Sequence, residues 1–147
     1  MSEVVNLFET PRAADEGDPP GYEVPYVRIG PLIGASALGM TVYELNEGNS
    51  ICPYHFHYAM EEWLVVLSGS PVLRGPEGDR VLRAGDVVCF PTGPEGGHQV
   101  TGPGSVLILS ASQAPESIEY PESGKVGVRP PGKIFRMADA TDYWEGE

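Results

Sequence analysis

The chain has 147 residues and carries 21 acidic against 9 basic side chains, a formal net charge of −12. That length is one domain with room for one real core, and 41% hydrophobic residues fits a globular protein. The acidic balance argues against nucleic acid or an anionic membrane surface as partner, because both need a basic footprint. No apolar run approaches the ~20 residues of a membrane span.

Residues 1–21 read as a polar arm. Val4–Phe8 suits an edge strand, and Pro19-Pro20-Gly21 cannot continue a helix or a paired strand. Short strands are predicted over Tyr26–Ile29 and Leu38–Leu45, with a turn at Asn46–Asn49. Further strands follow at Ser50–Tyr58 and at Glu62–Leu67, which stops at Ser68-Gly69. Val72–Arg74 and Arg80–Leu82 flank Gly75-Pro76-Glu77-Gly78 as a hairpin. Asp86–Phe90 is stopped by Pro91, and His98–Thr101 is expected to pair with Val106–Ala111 across Gly102-Pro103-Gly104. Eight or nine short strands separated by turn residues predict an all-β antiparallel barrel or jelly roll. No stretch holds a 3.6-residue apolar period, so long helices are not expected.

After Ala111 the pattern changes. Pro115–Pro121 and Arg129–Gly132 read as loops, although Glu116–Tyr120 suits one more strand. Phe135, Met137, Tyr143 and Trp144 are large apolar residues in a polar tail, expected to bury against the barrel or a partner subunit. The division is then an arm (1–21), a barrel (22–112) and a C-terminal extension (113–147).

The chemistry gathers in two segments that hold all three histidines. His55 and His57 are two apart, so an extended strand aims both imidazoles at one face. Glu62 opens the next strand, and His98 follows Pro91-Thr92-Gly93-Pro94-Glu95-Gly96-Gly97. Three His and one Glu suit a first-row divalent metal. Each residue alone would read as ordinary surface or core; the combination points to a metal. A bound metal would also let so acidic a protein accept an anionic substrate.

Cys52 and Cys89 have no C-x-x-C partner, so zinc-ribbon and thioredoxin readings fail. Cys52, three residues before His55, is expected on the opposite face of that strand. Both cysteines are expected as buried, reduced thiols. Met1–Val5 has neither a charged n-region nor an apolar h-region, which makes a cytoplasmic protein the expectation.

The spacing resembles the cupins. Gly48, His55, His57, Glu62 and Gly69 fit their first motif, and Gly85, Pro91, Gly93 and His98 fit their second. Gly48 to His55 is one residue longer than usual and Gly93 to His98 two longer, both within loops. The terminal Asn of the second motif is absent, with Thr101 and Gly102 in its place. The six residues to Gly69 select Glu62 rather than Glu61 as ligand, and alternation places Glu61 outside. Glu61–Leu67, Gly85–Pro91, Tyr120–Val128 and Asp142–Glu147 are similar to a group of small single-domain bacterial cupins of unsettled function.

The resemblance implies a double-stranded β-helix, a jelly-roll barrel, between an N-terminal arm and an irregular C-terminal tail. It implies one divalent transition metal (Fe, Zn, Mn or Ni) on His55, His57, Glu62 and His98. It also implies a small-molecule ligand and, with the apolar tail, a homodimer. The activity implied is a metal-dependent enzyme on a small polar metabolite, isomerase-like or dioxygenase-like. The alternative is a non-catalytic module that binds metal or a small ligand. No histidine is left over, so a general base would be Glu, Asp, Tyr, Cys or metal hydroxide. Tyr54, Tyr58, Met60, Trp63 and Gln99 flank the ligands as possible lining.

Overall fold

The computed structural model describes residues 3–111 and 114–147; the expected boundary at 112/113 and the first two residues of the arm fall outside them. Nearly all regular structure is β. The large sheet runs β1 (Tyr26–Arg28), β2 (Leu38–Leu45), β9 (Gly104–Ala111), β4 (Glu62–Gly69) and β7 (Val87–Phe90), in that order. A second sheet runs β12 (Lys133–Arg136), β11 (Lys125–Arg129), β10 (Glu116–Tyr120) and β3 (Phe56–His57). A third joins β6 (Gly78–Val81), β5 (Val72–Gly75) and β8 (Gln99–Thr101). Neighbouring strands in all three are antiparallel. The only α-helix among the described residues is the single turn α1 (Ile29–Leu32).

Alternation along the long strands builds the interior. On β4, Leu64 and Val66 turn inward and are buried, while Trp63 faces out. They pack with Val24, Leu45, Leu73, Leu82, Phe90, Val100 and Val106. Leu64 has no exposed surface, and truncating such a residue to Ala costs about 2–5 kcal/mol. The outer face of the large sheet is apolar too: Ile29, Val42 and Leu107 are buried there, with Val5 and Leu7 of the arm packed on them.

Five expectations need correction. Ser50–Tyr58 is not one strand; Ile51–Tyr54 are bends around Pro53, and only Phe56–His57 is regular strand, with Ser50 and His55 making isolated bridges to Thr101 and His98. Val4–Phe8 forms no strand and ends in a turn. Strands β8 and β9 do not pair with each other: β8 joins β5, and β9 lies between β2 and β4. Pro103, with no N–H to give a ladder, lies at the corner where the chain leaves one sheet for another. The extension is more regular than a tail, since β10, β11 and β12 form a meander. Its large apolar residues do not cover the barrel of their own chain: Phe135, Met137, Tyr143 and Trp144 are all exposed.

Candidate metal centre

His55 and His57 are brought to one place by different means. His55 forms a two-way backbone bridge with His98, N–H to carbonyl at 3.1 and 2.9 Å. His57 sits on β3, opposite Ile118 of β10. Glu62 enters from the first position of β4, opposite Phe90 and Ser110. His98 follows a 3-10 turn over Pro94–Gly96, which absorbs the long spacer after Gly93. That turn is tight: Gly96 packs directly on the Pro91 carbonyl, where a Cβ would collide. Gly93, at φ +85°, gives its N–H to the His57 carbonyl at 2.7 Å.

All four sequence-predicted residues therefore meet. Glu62 Oε2 lies 3.2 Å from His57 Nε2 and 3.5 Å from His98 Nε2. Donor atoms of His55, Glu62 and His98 all fall within 4.8 Å of one another. The His55 ring is 5.1 Å from His57 and 4.5 Å from His98, centroid to centroid. Two donors on one ion at bond lengths of about 2.1 Å stand roughly 3 to 3.5 Å apart, so the Glu62 spacings suit a shared ion.

The protonation states suit one as well. Burial pushes the His55 imidazolium down to about 4, helped by His98 and His57 against the pull of Glu62. Burial lowers His98 too. Burial alone would raise the Glu62 carboxyl, but the hydrogen bond from His57 and the surrounding imidazoles hold it below its ordinary value. Neutral imidazoles and an ionised carboxylate are the forms that bind metal. The ring nitrogens are already sorted. His98 Nδ1 donates to the Gly96 carbonyl at 2.8 Å, and His55 Nδ1 to the Pro53 carbonyl at 3.0 Å. Each leaves Nε2 as the free donor.

A cavity of about 70 Å³ opens on this cluster, lined by Tyr43, Ile51, Cys52, His55, Glu62, His98, Val100 and Ile108. Tyr43, Ile51 and Cys52 also line an outer vestibule of about 360 Å³, whose far wall is Asp15 and Asp18 of the arm with Tyr22 and, from β1, Tyr26 and Arg28. Burial, with Glu62 nearby, pushes the Cys52 thiol up to about 12. Burial pushes Tyr43 equally high, with Cys52 and Glu62 adding. At neutral pH both are protonated and can donate to a ligand.

Cys52 corrects the sequence reading, because its Sγ lies 3.4 Å from His55 Nδ1 instead of across a strand. Cys89 is corrected as well, being exposed on β7. Glu61 is exposed and accepts the Trp63 indole N–H at 2.8 Å, as alternation requires. The flanking residues proposed as lining do other work. Tyr54 stacks under Arg74, Tyr58 and Trp63 are exposed, Met60 is buried, and Gln99 donates to the Cys52 carbonyl. Sequence reasoning missed Tyr43, Ile51, Phe90, Tyr120 and Glu116 at the site. Phe90 stacks on His98, and Tyr120 stacks on His55 at 5.9 Å.

Residues 41–111 match the family described as the cupin domain. The chain carries a cupin domain. None of the curated proteins matches the chain. Among solved structures, a candidate sugar phosphate isomerase from Acidithiobacillus ferrooxidans superposes with a TM-score of 0.75 at 25% identity, over 84% of this chain and 82% of that one. A sugar phosphate isomerase of the cupin superfamily from Silicibacter pomeroyi shares the fold, with a TM-score of 0.81 at 21% identity over 95% and 96% of the two chains. The polyketide cyclase of Streptomyces resistomycificus gives 0.63 at 25% identity, over 79% and 84%. Among the described residues, no helix is long and apolar enough to cross a membrane.

Proposed function

We propose that this cupin is a metal-dependent enzyme that acts on a small polar metabolite as an isomerase. One divalent transition metal, Fe, Zn, Mn or Ni, is held by His55, His57, Glu62 and His98. The observation that carries this reading is the meeting of three buried histidines on one partly buried carboxylate, with Nδ1 of His55 and His98 turned away to backbone carbonyls. When bound, the metal supplies a Lewis acid for a substrate oxygen.

The chain's own residues do the remainder. The vestibule receives the substrate, Tyr43 and Cys52 donate hydrogen bonds at the cavity mouth, and the apolar wall of Ile51, Val100 and Ile108 limits water. The isomerase reading is supported by the similarity to the candidate isomerase from Acidithiobacillus ferrooxidans. A cytoplasmic location is supported by two free thiols, and a homodimer by the exposed apolar side chains of the extension.

Metal content by mass spectrometry, followed by an isomerisation screen of aldoses, ketoses and their phosphates, tests the function. About one metal per chain with turnover of one of them is the expected result. Metal and ligand binding without turnover of any tested class would replace it with the non-catalytic binding module.

A further inference from the structure

Two of the three histidines have their outer nitrogen secured by a backbone carbonyl two residues earlier in the chain. His57 has no such carbonyl. Its Nδ1 is buried and makes no hydrogen bond. The group that faces it is Glu116, whose Oε1 lies 3.9 Å away and whose side chain is 1% exposed. Oε2 of the same carboxylate is also buried without a partner. A buried polar atom left unpaired is costly, and here the ring and the carboxylate that faces it each hold one.

The carboxylate is not free to wander. Its Oε1 accepts the backbone N–H of Tyr58 at 3.1 Å and of Ala59 at 3.3 Å. Glu116 is the first residue of β10, which pairs with β3 in the register Ile118 to His57. Alternation along β10 puts Glu116, Ile118 and Tyr120 on one face. Glu116 thus stands behind His57 while Tyr120 stacks on His55.

We infer that Glu116 is the positioning residue for His57. Its carboxylate stands 3.9 Å from Nδ1 and, with a metal on Nε2, accepts the Nδ1 proton and holds the ring so that Nε2 faces the Glu62 side. Glu116 lies outside residues 41–111, so the extension that begins after the cupin match completes the metal centre. This inference rests on the proposed metal site.

The test uses the full-length protein with zinc(II) as probe. Proton–nitrogen NMR reads the exchange rate and shift of the His57 Nδ1–H, and competition with a chromophoric chelator gives the zinc dissociation constant. Without metal, Nε2 of His57 stands 3.2 Å from Glu62 and gives its proton there; with zinc on Nε2 the remaining proton is on Nδ1, and in the wild type it is expected to be held on Glu116 and protected from exchange. In Glu116→Gln, which keeps an oxygen for the two amides but loses the charge, that proton is expected to exchange faster, and zinc to bind roughly 10 to 100-fold more weakly. Glu116→Asp restores the charge and is expected to recover part of both.

A His57 Nδ1–H that exchanges freely in the zinc-loaded wild type would overturn the assignment without any variant, whether or not Glu116→Gln folds. Unchanged exchange and zinc affinity in a folded Glu116→Gln would overturn it while leaving the metal site intact. A wild type that takes up no zinc would overturn the metal site and this inference with it.

Discussion

The Phe90 ring lies flat on His98, with centroids 3.6 Å apart and planes 8° from parallel. Phe90 is itself buried and pairs with Glu62 across β7 and β4. One aromatic therefore ties the His98 imidazole to the strand that presents Glu62. Truncation to Ala removes core packing and the face that holds the imidazole. Phe90→Ala is expected to destabilise the protein by about 3–5 kcal/mol, read by chemical denaturation. Phe90→Leu keeps most of the volume and is expected to cost less while still weakening zinc binding, because the flat support for His98 is gone.

Glu62 is the hub of the donor set, since His57 and His98 both reach the same Oε2. Glu62→Ala is expected to retain less than a tenth of the wild-type metal by mass spectrometry, and His57→Ala to lower it sharply. A ligand at 100 times its dissociation constant stabilises the folded state by about 2.7 kcal/mol. Zinc at that excess should raise the wild-type melting temperature and leave that of Glu62→Ala unmoved. Wild-type metal content in either variant would disprove the site as drawn.

The metal-free protein should lose stability as it is acidified. His55 has a folded-state value near 4, lowered from 6.5 chiefly by burial. Between those values the unfolded chain binds more protons than the folded one, so stability rises with pH across that window and falls on acidification. The slope for one such group is about 1.4 kcal/mol per pH unit. His98 and Glu62, both lowered, act in the same direction. Urea midpoints at pH 6.5 and pH 5 should differ accordingly, and His55→Asn should flatten the profile. A flat wild-type profile would show that His55 is not buried in its neutral form.

The meeting of His55, His57, Glu62 and His98 was legible in the sequence because it rests on local rules. His-x-His on an extended segment, Glu62 at a strand head, and Pro91 and Gly93 as stops all act over a few residues. What failed needed longer reach. Cys52 was put on the wrong face by counting alternation through Pro53, where Ile51–Tyr54 bend and the period of two does not apply. Glu116 meets its amide partner Tyr58 from 58 positions away, through a strand pairing that no local pattern encodes. The pairing of β8 with β5 and of β9 with β4 is likewise set by the closure of the barrel and not by the turn between them.

The two thiols should differ in reactivity. Cys52 is held near 12 by burial and by Glu62, whereas Cys89 is exposed. The thiolate is the reactive form. Iodoacetamide at pH 7.5 is expected to label Cys89 and spare Cys52 in the folded protein, with both labelled in urea, as read by peptide mass spectrometry. Labelling of Cys52 at the rate of Cys89 would place it outside the cavity.

The extension leaves Tyr143 84% and Trp144 75% exposed, their rings in edge-on contact 4.7 Å apart. Ile134, Phe135 and Met137 add further apolar surface from the same segment. Apolar side chains gathered in this way usually bury against a partner, and a second copy of the chain is the expected one. Light scattering should give twice the 15.8 kDa chain mass. Trp144→Asp should shift the species toward monomer and leave zinc affinity near the wild-type value, since the exposed Trp144 ring packs on Tyr143 and not on the four candidate ligands. A wild-type monomer at high concentration would contradict the homodimer. A Trp144→Asp dimer as tight as wild type would move the interface elsewhere, with the exposed Trp63 on the outer face of the large sheet as the next position to substitute.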